Sequence, residues 1–202
     1  MCSCFSLNPV KHAIIQYMSS NDQIKIINNF MSDKDINKIK GYMLTRGAPG
    51  EAVGVAFGHD LLVKSKSRLL DLSILNEIKD FIINDYFPKT LSLIKQQFKE
   101  DKELYPSVFW IIRSVKGSSV HEHVDGEGNP HFKYSSIFYL DTMEESGALE
   151  FPKINYKYMP KKSDMLLFPA QPEEFDHVVR EVDSDRHAVI LWATDNPEFS
   201  LV

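Results

Sequence analysis

The stretch "HEHVDGEGNPH", residues 121 to 131, sets three of the chain's seven histidines and three carboxylates within eleven positions. In an extended segment successive side chains alternate faces, so His123 and Asp125 project together while Val124 packs behind. An imidazole and a carboxylate presented side by side make a two-toothed chelate for a borderline divalent cation. A second histidine from elsewhere would complete a facial triad that leaves coordination positions open. His177, in the apolar run "FDHVVREV" 52 residues after Asp125, is the candidate. Taken alone, a histidine in such a run is more often a satisfied core position. His121 shares a face with His123 and reads as a flanking surface or substrate-contact residue, with orientation of a ligand or service as an alternative ligand as the other readings. His131 follows Pro130 in a loop, where histidines are ordinarily solvated and where substrate contacts also live.

The elements that must position these groups change character near residue 105. Before it, "QIKIINNFM" (23 to 31) is an early strand candidate, and Ser32 with Asp35 three residues on forms a capping box for a helix. Ile36, Ile39 and Met43 then recur at helical spacing, with Gly47 as the stop. Leu75, Ile78, Ile82 and Tyr86 mark a second apolar stripe and Leu91, Ile94 and Phe98 a third, with Pro88 expected to separate the two helices. From "SVFWIIRSV" (107 to 115) onward the runs are short, rich in β-branched and aromatic residues, and punctuated by Gly, Pro, Asp and Asn. The expected fold is therefore α+β, a double-stranded β-helix (jelly-roll) core with supporting N-terminal helices. One domain is expected over 1–202, with about 1–105 as helical support and about 106–202 as the catalytic core.

Composition narrows the class of function. A net charge of -5 argues against nucleic acid as a partner, and the basic patches "KSKSR" (64 to 68) and Lys161–Lys162 read as solvated surface. No apolar run approaches a membrane span, and the N-terminal residues lack the apolar core of a signal peptide. The only cysteines, Cys2 and Cys4, would close almost no loop, which fits a reducing, cytoplasmic location.

From about 108 to 194 the chain resembles the catalytic core of the Fe(II)- and 2-oxoglutarate-dependent oxygenases, and among them the prolyl 4-hydroxylase-like branch. The resemblance is carried by His123-x-Asp125, "YSSIFYLD" followed by "SGALEFP", "PKKSDMLLFPA", and His177 with Arg186 nine residues later in "DRHAVILW". It implies that His123, Asp125 and His177 ligate iron and that Arg186 holds the distal carboxylate of 2-oxoglutarate. A guanidinium suits that role, because it meets a carboxylate with two parallel hydrogen bonds. The resemblance also implies that the Tyr139 hydroxyl reaches the same carboxylate, with Tyr134 a weaker candidate. Two positions depart from the branch. Arg113 and Ser114 stand where an upstream tyrosine is common, and Glu150 stands where threonine is expected, although Gly147 is kept.

The implied activity is hydroxylation of an unactivated C–H bond, with 2-oxoglutarate and O2 as co-substrates, succinate and CO2 as products, and ascorbate as an accessory reductant. The substrate would be an amino-acid side chain: peptidyl proline, a free amino acid or a small amino-acid-derived molecule. Two rivals stand beside this reading. A cupin-type metal-dependent dioxygenase without 2-oxoglutarate gives Arg186 no role, and an inactive jelly-roll binding module needs no triad. The Gly- and Ala-rich stretch from Gly47 to His59 is expected to be a mobile lid over the site. The sequence leaves the oligomeric state open.

Overall fold

The computed structural model describes residues 20–44, 53–57 and 72–202. Cys2, Cys4, Gly47 and the "KSKSR" patch lie outside the described residues, as do the side chains of Met43 and Leu75. Two antiparallel sheets face each other. Strands β1 (Lys25–Ile27), β2 (Val53–Phe57), β3 (Tyr105–Ser114), β5 (Tyr134–Tyr139), β8 (Met165–Pro169) and β10 (Arg186–Thr194) form a six-stranded sheet in the order β1-β8-β5-β10-β3-β2. Strands β4 (Val120–His123), β6 (Leu149–Phe151), β7 (Tyr156–Tyr158) and β9 (His177–Val179) form a four-stranded sheet in the order β4-β9-β6-β7. This is the double-stranded β-helix expected from the run of short strands. Among the described residues no helix is long and apolar enough to cross a membrane.

Helices cover one face of the larger sheet. At the start of α1 (Asp33–Leu44) the Ser32 hydroxyl accepts the Asp35 N–H (3.2 Å), one arm of the expected capping box, and donates to the Asp35 carboxylate (2.7 Å). The second and third stripes depart from expectation. They are not two helices parted by Pro88 but one run, in which α2 (Leu72–Phe81) continues through a π-helical turn, Ile82–Tyr86, into α3 (Phe87–Phe98). Pro88 sits at the start of α3, directly after the π-helical turn, whose wider winding accommodates a residue that can donate no N–H. The extra residue is absorbed just before it, where the Phe87 N–H reaches back to Ile82 O.

Alternation along the strands divides the core in two. Phe109, Ile111, Phe138, Met165, Leu167, Val189 and Leu191 pack with Ile36, Ile39, Ile82 and Ile94 on the helix side. Ile137, Tyr139, Leu166, Phe168 and Ala188 point the other way, between the sheets, and meet Leu149, Phe151, Phe175 and Val179. Residues 53–57 correct the lid expectation. They are edge strand β2, paired with β3 from Val53↔Arg113 to Phe57↔Phe109. The ladder supplies their backbone partners, which a Gly- and Ala-rich composition does not prevent; the rest of the Gly47–His59 stretch lies outside the described residues.

Candidate functional site

Pairing of β4 with β9 sets His123 directly opposite His177. Their rings stand 4.4 Å apart between centroids. Asp125, two residues beyond His123, turns Oδ1 toward both, at 3.4 Å from His123 Nε2 and 3.8 Å from His177 Nε2. One ligand atom from each of the three lies within 4.8 Å of the others, so the group could hold a metal ion.

Each imidazole is oriented by its neighbouring backbone. The His123 Nδ1–H donates to His121 O (2.9 Å) and the His177 Nδ1–H to Phe175 O (2.9 Å). A carbonyl only accepts, so both Nδ1 atoms carry the proton and Nε2 is the ring atom left on the Asp125 side, where that of His123 shares a proton with the carboxylate without a metal and would ligate one when deprotonated. The Ser135 hydroxyl donates to Asp125 Oδ2 (2.6 Å), which leaves Oδ1 as the oxygen presented to the histidines.

The charges follow from these contacts. Burial pushes the Asp125 carboxyl up, but the His123 hydrogen bond, the His177 charge and the Ser135 hydroxyl outweigh it and hold the group below the usual carboxylate range. Trp192 also favours the carboxylate, although its buried Nε1 closes no hydrogen bond. Burial lowers His177, with Asp125 only partly opposing. The hydrogen bond to Asp125 raises His123, which is about 30% exposed, against a smaller effect of burial.

These residues open onto a cavity of about 550 Å3 between the sheets. Arg186, at the start of β10, lines it and is buried, and its Nε has no partner. The guanidinium sits 5.3 Å over the Tyr139 ring, whose hydroxyl is also buried without a partner. Burial pushes that phenol up to about 12, with Arg186 pulling in the opposite direction. Gly147 makes the close approach here possible. Its φ is +67°, and a Cβ there would lie 2.8 Å from Val182 Cγ1 and 3.6 Å from Arg186 Cδ.

Other sequence candidates lie elsewhere or take different roles. Tyr134 faces the helices and donates to Glu100 (3.0 Å), which removes it from the cavity. Arg113 turns away from the cavity-lining Ile112 and grips Asp185 through Nε (2.9 Å) and Nη2 (2.6 Å). Glu150 points away from the cavity-lining Leu149 and is bound by Arg180 (2.6 Å) and Lys157 (3.3 Å). His131 is not simply solvated: its ring stacks on Phe199 at 4.0 Å. His121 lines the cavity and orients His123 through its carbonyl. Ser135 and Trp192 are site residues that the sequence reading missed; the only signal was their alternation with Tyr134, Ser136 and Leu191 on strands that also carry Tyr139 and Arg186.

Residues 109–194 match the family model of the 2OG-Fe(II) oxygenase superfamily. No curated protein sequence matches the chain significantly. Among solved structures, an oxidoreductase of the 2OG-Fe(II) oxygenase family from Burkholderia pseudomallei is similar at a TM-score of 0.64 and 13% identity, over 86% of this chain and 85% of that one. The viral collagen prolyl hydroxylase of Paramecium Bursaria Chlorella virus-1, in its 2OG complex, follows at 0.60 and 15%, over 85% and 95%. A prolyl hydroxylase from Trichoplax adhaerens, in complex with a hypoxia inducible factor oxygen degradation domain peptide fragment, gives 0.61 and 15%, over 88% of each chain. At such identities the likeness is one of fold, and it is the fold derived above. The match to the 2OG-Fe(II) oxygenase superfamily runs from within β3 to the end of β10 and so encloses both histidines, Asp125 and Arg186.

Proposed function

We propose that His123, Asp125 and His177 hold Fe(II), that Arg186 with Tyr139 receives the distal carboxylate of 2-oxoglutarate, and that the enzyme hydroxylates an unactivated C–H bond of an amino-acid side chain, with succinate and CO2 as products. One observation carries the reading: the buried Nε of Arg186 and the buried hydroxyl of Tyr139, both without partners, stand beside a cavity that also holds two oriented imidazoles and a carboxylate. Burying an unpaired polar group costs about 1–3 kcal/mol, and a bidentate anion would relieve both.

The donor set fits the metal. Two neutral imidazole nitrogens and one carboxylate oxygen suit a borderline divalent ion and leave coordination positions for co-substrates. When bound, iron with 2-oxoglutarate and O2 supplies the oxidising chemistry. The protein's part is placement. Backbone carbonyls hold both imidazole tautomers, Ser135 keeps Asp125 to one presented oxygen, and Arg186 fixes the direction from which the keto acid enters. The walls formed by Val108, Ile112, Ile137 and Ile190 exclude water around them.

Arg186 is also what separates this reading from a cupin-type dioxygenase without 2-oxoglutarate, where a buried guanidinium with an unpaired Nε beside the triad has no purpose. The ordered triad separates it from an inactive binding module. Peptidyl proline leads among substrates because structures of similar fold are prolyl hydroxylases, one of them holding a peptide. The test is incubation of the protein with Fe(II), 2-oxoglutarate, ascorbate and a panel of peptides and amino acids. Succinate formation with gain of one oxygen atom in a panel member is expected; absence of succinate under every condition would overturn the assignment.

A further inference from the structure

The mouth of the cavity carries a feature the proposed chemistry does not use. Trp110 on β3 lines the cavity yet remains 43% exposed, one of the few large apolar side chains so open among the described residues. It is not loosely placed. Its ring meets Trp192 edge to face at 5.4 Å and 82°, and Phe132 stacks on Trp192 at 5.2 Å and 12°, which builds a buttressed aromatic wall. Val108, Ile112 and Ile190 continue the wall with aliphatic surface. A rigid exposed indole in such a setting is the kind of residue that dominates recognition, since it offers a large contact area at little entropic cost.

The charges of the same cavity restrict what can land there. Among the described residues lining it, Arg186 is the only lysine or arginine, and the only carboxylates are Asp125 and Glu127. Asp125 belongs to the triad and Arg186 to the keto acid. What remains for a substrate is apolar and aromatic wall, the amide of Asn129, the His121 ring and the negative charge of Glu127. A free amino acid would bring a carboxylate that finds no arginine or lysine and faces Glu127 instead. A residue in peptide linkage brings neither terminal charge.

Building on the proposed function, we infer that Trp110 is the specificity-determining residue of the cavity, and that it receives an uncharged apolar side chain carried in peptide linkage, not a free amino acid. The molecule contains its own reporter, because its only two tryptophans are Trp110 and Trp192 and both line the cavity. The experiment is a titration of intrinsic fluorescence on the full chain, metal-free and again with Mn(II) and 2-oxoglutarate under nitrogen. The probes are acetyl-Gly-Xaa-Gly-amide peptides with Xaa as Pro, Leu or Glu, and free proline and leucine.

The Pro and Leu peptides should change the emission saturably, with the Glu peptide and the free amino acids weaker by about tenfold or more. Trp110→Ala, followed through Trp192, should weaken the apolar peptides by about tenfold, and Trp110→Phe should restore most of that loss. Free amino acids binding as well as capped peptides, an unchanged constant in Trp110→Ala, or no response to any peptide would overturn the inference. Separate titrations of Mn(II) and 2-oxoglutarate keep the two readings apart: their failure with peptide binding intact would sink the proposed function and leave the role of Trp110 standing.

Discussion

The two faces of the six-stranded sheet are made by the same strands, one residue in alternation with the next, and they have opposite characters. Toward the helices, Phe109, Ile111, Phe138, Val189 and Leu191 join a closely packed apolar cluster, with only Ser136 Oγ and His187 Nε2 unpaired. Toward the cavity, the intervening positions hold Trp110, Ser135, Tyr139, Arg186 and Trp192, and three of these keep buried polar atoms without partners. One face closes on apolar packing, whereas the other carries its unpaired groups beside the candidate metal site and its cavity. The unpaired groups are a cost borne in the fold for pre-organised recognition.

Mutation can break that division. The largest effect is expected at Asp125, which both histidines face: Asp125→Ala should abolish Fe(II) or Co(II) binding by calorimetry while the circular dichroism of the chain is retained. Next comes the opposite face. Ile94 is fully buried among the helices, so Ile94→Ala should cost about 2–5 kcal/mol in urea unfolding and leave the 2-oxoglutarate constant unchanged. Arg186→Ala gives the converse, a rise of about ten- to a hundredfold in the apparent 2-oxoglutarate constant, from a charge-assisted contact of about 1.5–3 kcal/mol, with metal binding intact. The smallest effect sharpens the comparison. Ser135→Ala removes the hydrogen bond that fixes Asp125, so the Co(II) dissociation constant should rise by about tenfold, and Ser135→Thr should recover it. Should Ile94→Ala damage co-substrate binding as much as Arg186→Ala does, the two faces are not separable.

How far the sequence revealed this depended on whether a residue's role lay in its type or in its surroundings. That His123, Asp125, His177 and Arg186 would gather around one cavity was legible because metal and anion chemistry accept few side chains and the order along the chain is distinctive. Ser135 was not, since a serine acquires its role only when Asp125 folds over β5. Trp192 was hidden among apolar neighbours in "AVILWATD", where every residue looks like core. The strand at 53–57 escaped because the surrounding Gly and Ala residues masked the alternation of Val53, Val55 and Phe57, which pairs with β3. Pro88 misled for a physical reason: a proline breaks an ordinary α-helix from within, but the wider π-helical turn directly before Pro88 accommodates its missing N–H.

That turn also works as a spacer with a fixed count. Tyr86, its last residue, donates to Asp35 Oδ2 at 2.6 Å, and Asp35 is the residue whose N–H and carboxylate meet the Ser32 hydroxyl at the start of α1. Each residue removed from a helix rotates everything beyond it by about 100°. Deleting one residue between Ile82 and Tyr86 would restore an ordinary helix but swing α2 around its axis relative to α3, or else carry the Tyr86 hydroxyl away from Asp35. The length of this segment is thus set like the tooth count of a gear: α1 and α3 stay in mesh against the sheet only while the extra residue is present.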